Sequence, residues 1–334
     1  MNLRVIKSGV LDSLQDAGRY GWQHLGINPG GAMDKLSARI ANTLVGNNAD
    51  DAVIELHFPA SAFFFEKPAL IAVSGADFSA TVNGDEIPRL QPVLVSKYSI
   101  LQFQGVKKGA RAYLAVYGGF DIKPWLNSCS TNLKAAAGGY KGRVFQKDDE
   151  IGLRSEIDFS SLLGKKEFAT MSWKTDDDLA NDMKEVLVLP GNEWDRLPDK
   201  SKKRFLHQSF TVTSQSDRMG YRLKGKPLST LTDEEIISSA VSFGTVQLLP
   251  DGQLIVLMAD HQTTGGYPRV AHVISAHHSR LAQIKAGEEV GFRLTDQKTA
   301  EELFIRQQQH LLQLQNACKF KLEELLKHEF KTTG

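Results

Sequence analysis

Between residues 242 and 274 apolar runs alternate with abrupt polar breaks, and this stretch organises the rest of the chain. Thr245 to Leu249 and Leu254 to Ala259 flank Pro250-Asp251-Gly252, a tripeptide with a fixed φ, a capping side chain and tolerance of positive φ, which predicts a β-hairpin. The run LIVLMA shows no polar alternation, so both faces of that strand are expected to be covered. It gives way to Asp260, His261, Gln262, Thr263 and Thr264, then to Gly265-Gly266, which lets the backbone turn or approach a ligand. Tyr267-Pro268 ends the loop before a strand from Arg269 to Ile274. The polar loop reads equally as a binding segment or as a solvated turn.

Earlier in the chain, Leu3 to Ile6 alternate as a short strand. Ser13 to Asp34 is a glycine-rich loop carrying Asp16, Arg19, Trp22, Gln23, His24 and Asp34, a mixture of charge, donor and aromatic face that a binding surface can use. Its glycine spacing matches neither a dinucleotide fingerprint nor a P-loop. Leu36, Ile40 and Leu44 then recur every four residues, predicting a helix over Met33 to Val45 with Asp34 as N-cap and Gly46-Asn47 as stop. Residues 52 to 116 form a series of short strand patterns, with Asn83-Gly84 the clearest hairpin turn, and argue for a barrel or sandwich. From Gly118 to Gly142 a second glycine-rich stretch carries Asp121, Ser128, Ser130, Thr131, Asn132 and Arg143; long ordered loops of this kind are usually functional.

Ser155 to Met183 turns polar and mixed in charge, and reads as a linker. Strand patterns at Glu185 to Pro190, Phe210 to Thr213 and Glu289 to Leu294 follow, then a helical pattern from Thr299 to about His328 in which Phe304, Leu311, Cys318 and Leu325 fall seven apart. Gln307 and Lys321 interrupt the complementary seam, so this helix is expected to dock on its own domain. These boundaries give a first domain with its linker over 1–184, a second over 185–295 and a helical extension over 296–334.

The chain also echoes itself. Gln15 to Trp22 and Gln215 to Tyr221 each present an acid, an arginine, then glycine with an aromatic, which suggests two related barrels facing one cleft bordered by Arg19, Arg218 and the loop from Gln262 to Tyr267. Asp217 is expected to pair with the adjacent Arg218. The run GYRLKGK from Gly220 fits part of a P-loop pattern, but Pro227 stands where Ser or Thr would reach Mg²⁺.

With 334 residues, 41% hydrophobic and 24% charged, the composition is that of a soluble globular chain of two domains. A formal charge of +1 supplies no field to attract nucleic acid or an anionic membrane, which leaves a small ligand or a protein partner. Two cysteines, Cys129 and Cys318, make neither a disulfide framework nor a four-ligand zinc site, and no metal site is expected. Without an apolar N-terminal region or a spanning run, the expected location is the cytoplasm.

The strings SLQDAGRYGWQHLG, GGAMD, ANTLVGN, AVSGADF, RAYLAVYGGFD, SQSDRMGYRL, GTVQLLPDGQLIVLMADHQTTGGYPR and HVIS together resemble the biotin-dependent carboxyltransferase family, also known as the family of the 5-oxoprolinase C component or Kip antagonist and related to allophanate hydrolase subunit 2. The match runs from residue 1 to about 295. The resemblance implies a mainly β fold: two cyclophilin-like β-barrel domains with a few short helices, followed here by the long C-terminal helix. It implies one part of an ATP-dependent 5-oxoprolinase, a lactam hydrolase converting 5-oxoproline to glutamate. Such a chain would be inactive without its two partners, a Kip-inhibitor-like B component and a lactam-utilisation A component. ATP and Mg²⁺ are then cofactors of the assembled complex. Two alternatives stay open: the carboxyltransferase component of a urea carboxylase-like system using biotin, or a regulatory protein that antagonises a kinase inhibitor.

Lactam, urea and biotin ureido groups all need an N–C=O unit polarised as charge moves onto oxygen, which convergent donors and arginines provide. Asp217, Arg218 and Asp260 are the candidates for the chemistry. Arg19, His24, Asp34, Tyr221, Gln247, Gln262, Thr263, Thr264 and Tyr267 are the candidates for substrate contact. Each has a plainer alternative as a salt bridge or turn cap, because structural networks also gather charge at loops.

Overall fold

A computed structural model describes residues 2–155, 157, 159–176, 185–232 and 236–332. The chain divides into two compact units: Met1–Gly18, Asp34–Leu179 and Gln308–Gly334 form the first, and Arg19–Met33 with Ala180–Gln307 the second. The glycine-rich segment 19–33 thus belongs with the second unit although it leaves the first, and the C-terminal helix is divided between them. Sequence order hides both features.

The fold is mainly β, as the strand patterns predict. In the first unit, two six-stranded sheets share one core. One runs in the order Glu150–Gly152, Asn2–Lys7, Ala62–Phe65, Ile100–Phe103, Ala80–Val82, Asp85–Glu86; the other runs Phe168–Thr170, Val93–Val95, Ala69–Asp77, Lys108–Val116, Val53–Leu56, Ser13–Gln15. Alternate residues such as Leu3, Val5, Ile54, Leu56, Ile71 and Val73 fill the core. The turn at Asn83-Gly84 has φ of 52° and 99°, the left-handed pair that joins Val82 to Asp85 in register. The strand Phe168–Thr170 lies within the stretch read as a linker: its pairing with Val93–Val95 makes this short segment an edge of the sheet. The end of that stretch, 177–183, lies outside the described residues.

The helix Lys35–Leu44 covers the outer face of the second sheet, where Ser74 Oγ donates to Ser37 O at 2.6 Å. Beneath it Tyr113, fully buried, donates its hydroxyl to Glu55 at 2.9 Å and accepts the Asp34 amide at 2.8 Å. Burial pushes the Tyr113 phenol far up, and the nearby Glu55 carboxylate adds to this.

In the second unit the strands close into a barrel in the order Glu185–Pro190, Arg269–Val273, Thr245–Leu248, Leu254–Leu257, Gly220–Lys224, Phe210–Val212, Glu289–Leu294. The closing pair, Glu185–Pro190 with Glu289–Leu294, is parallel. The hairpin read from Pro250-Asp251-Gly252 is present, with Val246 opposite Val256 and Leu248 opposite Leu254. Its inward residues Val246, Leu248, Leu254 and Val256 join Val188, Leu223 and Phe292 in the barrel core, where Phe205 stacks on Phe292 with ring centroids 4.9 Å apart.

The terminal helix, Gln297–Thr332, buries Leu311, Cys318 and Leu322 while Phe304, Ile305, Leu312 and Phe320 stay exposed, so it docks along one stripe. Burial pushes the Cys318 thiol up to about 12.

Candidate functional site

Three chain segments of the second unit meet at the barrel end where Gly220–Lys224 begins and Leu254–Leu257 ends. The turn before Gly220 carries Arg218, the loop after Leu257 carries Asp260, and segment 19–33 carries Arg19, Asn28 and Gly30-Gly31. Arg218 donates to Asp260 twice, Nε to Oδ2 at 2.9 Å and Nη2 to Oδ1 at 3.1 Å, and again from Nη2 to the Gly31 carbonyl at 2.6 Å. Backbone bonds lock the same pieces together. The Asp260 amide donates to Arg218 O at 2.8 Å, Asn28 Nδ2 donates to Asp260 O at 3.1 Å, and the Arg19 amide donates to Pro29 O at 2.7 Å.

Arg19 completes the cluster. A Cβ placed on Gly30 would stand 3.0 Å from Arg19 Nη1 and 3.6 Å from Asp260 Oδ1, so glycine is what admits the guanidinium here. Gly30 also has a φ of 63°. Two guanidinium groups therefore gather about one carboxylate in a setting where Arg19 is 1% exposed and Arg218 9%. In so buried a setting a guanidinium acts strongly on an anion or carbonyl oxygen brought to it.

The structure brings Arg19, Arg218 and Asp260 together within the second unit, rather than one acid-arginine pair from each of two barrels as the echoing motifs suggested, and Gln262 and Thr263 follow on the same loop, half-buried. It separates the others. Asp217 does not hold Arg218; its Oδ1 caps its own turn, accepting from Met219 N at 2.7 Å and Gly220 N at 3.2 Å. Asp16, its counterpart in the echo, sits in the first unit and clamps the second glycine-rich stretch, accepting from Ser128 Oγ at 2.7 Å, Cys129 N at 2.5 Å and Ser130 Oγ at 2.5 Å. That long loop is thus held as a structural strap.

Asp34 belongs to the first unit, where it is wholly buried and caps the helix, accepting from Ser37 N at 2.9 Å and Ser37 Oγ at 2.6 Å. Tyr221 is a barrel-core residue whose hydroxyl reaches Ala282 O at 3.4 Å. His24 is exposed on the 3-10 turn Gln23–Leu25. Gln247 is buried on the outer barrel wall against Gly265, under the two-stranded ribbon in which Thr264 pairs with Ala240. The loop from Asp260 runs along that wall, so Tyr267 emerges at the opposite end of the barrel from Asp260 and does not share a pocket with Arg19 and Arg218. Leu254–Leu257 and Arg269–Val273 both run antiparallel to Thr245–Leu248 and so parallel to each other, which puts residues seven apart in sequence at opposite ends of the barrel.

Sequence reading missed Asn28, His261, Glu193 and Arg269. His261 is 3% exposed and donates Nδ1–H to Gln262 O at 2.6 Å, fixing the loop after Asp260. Arg269 grips Glu193 through Nε at 3.0 Å and Nη2 at 2.8 Å and reaches Ser239 Oγ at 2.7 Å. Burial alone would push the Glu193 carboxyl up, but hydrogen bonds from the Arg269 side chain and backbone hold it below the usual carboxylate range. Such pairs join positions far apart in sequence, and only the arginine in the loop motif marked one of them.

For cofactors, the donor set is informative. Both oxygens of Asp260 are engaged by Arg218, so the cluster does not offer the carboxylates that Mg²⁺ prefers. Among the described residues no group of three or more His, Cys, Asp or Glu is placed to hold a metal. The run starting at Gly220 is not a phosphate cradle, since Gly220–Lys224 is a barrel strand paired with Leu254–Leu257.

The family model for the carboxyltransferase domain, subdomain A and B, matches residues 25–294. The chain belongs to this family. It is 36% identical to the C component of the 5-oxoprolinase of Escherichia coli (strain K12) over 291 residues, covering 87% of this chain and 90% of that protein. It is 28% identical to urea amidolyase of Saccharomyces cerevisiae over 310 residues, covering 87% of this chain but 16% of that protein. The crystal structure of the K. lactis urea amidolyase superposes with a TM-score of 0.85 at 26% identity, over 94% of this chain and 20% of that one. The chain thus corresponds to a fifth or less of the two urea amidolyases and to nearly all of the bacterial protein. Among the described residues no helix is long and apolar enough to cross a membrane.

Proposed function

We propose that this chain is the C component of an ATP-dependent 5-oxoprolinase, a cytoplasmic lactam hydrolase that works with a Kip-inhibitor-like B component and a lactam-utilisation A component. The carrying observation is coverage: similarity extends over 90% of the E. coli C component, whereas it reaches 16% of the yeast urea amidolyase. A separate chain of a complex is the simpler parallel.

In this reading Arg218 and Arg19 supply the positive field toward which charge moves when an amide oxygen is activated. Asp260 holds Arg218 in place through two hydrogen bonds. Gln262 and Thr263, half-buried on the following loop, are the groups that would meet the ligand. ATP supplies the activating phosphoryl group when bound, and the residues here do not suit its Mg²⁺, so nucleotide and metal fall to the partner chains. The active centre is then composite.

The second reading is a carboxyltransferase acting on carboxybiotin delivered by another chain, favoured by the family model and by the TM-score of 0.85 to urea amidolyase. The same arginines would polarise a ureido or urea carbonyl. Co-expression with the A and B components, with ADP release assayed against 5-oxoproline and against urea, separates the two. Release that depends on 5-oxoproline supports the first; release that depends only on urea, with a biotin carboxylase present, supports the second.

A further inference from the structure

Gln247 lies on the strand Thr245–Leu248 between Val246 and Leu248, which point into the barrel core, so its side chain stands on the outer wall. There it is 1% exposed, beneath the ribbon formed by Ser239–Ala240 and Thr264–Gly265. A Cβ on Gly265 would stand 2.5 Å from Gln247 Nε2, so the ribbon rests directly on the amide and glycine is what allows the approach. Despite this contact Nε2 makes no hydrogen bond among the described residues.

The neighbouring polar groups are engaged. Arg269, opposite Gln247 in register, gives Nε and Nη2 to Glu193 at 3.0 and 2.8 Å and Nη1 to Ser239 Oγ at 2.7 Å. Thr245 Oγ1 accepts from the Ser242 amide at 3.2 Å and lies 3.3 Å from His272 Nδ1. A buried amide hydrogen without an acceptor costs stability, because it gives up water and gains nothing in return. A side chain that served only to pack at this depth would be apolar. The ribbon above it is a separate sheet with two residues a side, tied to the wall by the bond from Arg269 to Ser239. A cover this small lifts more readily than the barrel beneath it unfolds.

We infer that Gln247 is a ligand-reading residue, uncovered when the ribbon lifts, whose carboxamide pairs edge to edge with a cis N–C=O group. Nε2 donates to the ligand carbonyl, and Oε1 accepts the ligand N–H. A five-membered lactam or cyclic urea presents both groups on one edge, whereas an open-chain secondary amide is trans and presents them on opposite edges. The choice of a cyclic amide rests on the proposed function, in which lactam and ureido ring share that edge; the buried, unpaired amide does not.

Side-chain amide NMR of the full chain carrying isotope-labelled glutamine tests this, the Gln247 signal being the one absent from Gln247→Met. The probes are 2-pyrrolidinone, 2-imidazolidinone, N-methylacetamide and cyclopentanone. The first two should shift the Gln247 signal and bind about three- to tenfold more tightly than the last two, each of which forfeits one of the paired bonds. Gln247→Met should abolish that preference without lowering the melting temperature, since an apolar side chain of similar shape relieves the unpaired amide. Ser239→Ala unties the ribbon and should tighten 2-pyrrolidinone binding, because more of the protein is then open to it. An unmoved Gln247 signal, equal affinities for cyclic and open-chain amides, a lowered melting temperature in Gln247→Met, or unimproved binding in Ser239→Ala overturns the inference. Should the assembled complex cleave 5-oxoproline at the wild-type rate with Gln247→Met, the function stands and the reading residue falls. Should 2-pyrrolidinone engage Gln247 while the complex acts on neither 5-oxoproline nor urea, the residue stands and the function falls.

Discussion

Arg218 passes over its sequence neighbour Asp217 and closes on Asp260, 42 residues away, with Nε and Nη2 each donating to a different carboxylate oxygen at 2.9 and 3.1 Å. The pair is largely buried, at 10% and 13% side-chain exposure, and the same guanidinium ties in the Gly31 carbonyl. One side chain thereby fixes three segments of the second unit.

Asp217 and Asp260 should respond differently to the same substitution. Asp217→Asn keeps the Oδ1 that caps the turn and should leave both activity of the assembled complex and stability near normal. Asp260→Asn leaves the Arg218 fork short of an acceptor, which costs about 1–3 kcal/mol, and should cut activity by about 10²-fold. Parallel kcat and Tm measurements check this; loss of turnover in Asp217→Asn with a normal Tm would return Asp217 to the chemistry.

Gly30→Ala should act through Arg19. The new methyl would press on Nη1 at 3.0 Å, and the φ of 63° adds roughly 1 kcal/mol of backbone strain. Displacing the guanidinium should lower kcat of the assembled complex far more than the small fall in Tm explains. Equal losses in Gly30→Ala and in Gly21→Ala, where a Cβ meets nothing within 4 Å and φ is 91°, would mean that strain alone is responsible.

Asp34 is expected to matter for folding only. Asp34→Ala removes the helix cap and should cost about 1–2 kcal/mol, while Asp34→Ser retains an acceptor for the Ser37 amide and recovers part of it. Chemical denaturation measures the loss. A drop in substrate affinity at unchanged stability would restore Asp34 to the binding site.

Acid should weaken the barrel through His277. Its Nδ1 accepts the Leu187 amide at 3.0 Å, and burial, helped by the charges of Arg280 and Arg293, pushes its pKa down from 6.5 to about 4. The unfolded chain takes up a proton in this window that the folded one refuses, so the contribution is complete above pH 6.5 and is lost as pH falls toward 4. Asp12 works in the opposite sense: burial raises its pKa from 3.8 to about 6, so the first unit loses stability as pH rises through that range. His277→Asn keeps an acceptor without titrating and should flatten the acid loss of the barrel transition in calorimetry from pH 6.5 to 4. An unchanged slope would rule His277 out as its origin.

By itself the sequence determined what depends on neighbours along the chain. The hairpin at Pro250-Asp251-Gly252, the left-handed Asn83-Gly84 turn and the Asp34 cap all follow from φ preferences and side-chain bonds reaching two or three residues. The mainly β character follows from apolar runs and turn residues in the same way, and the long motifs carried the family. Tertiary structure decided the rest. Whether Arg218 would pair with Asp217 or Asp260 depended on the Gly220–Lys224 and Leu254–Leu257 strands lying side by side, a register no local pattern encodes. Segment 19–33 joining the second unit, and Tyr267 emerging at the barrel end away from Asp260, likewise depend on strand order and direction around a closed barrel. Local propensity acts over a few residues; a salt bridge is chosen by whichever partner the packed backbone holds within about 3 Å.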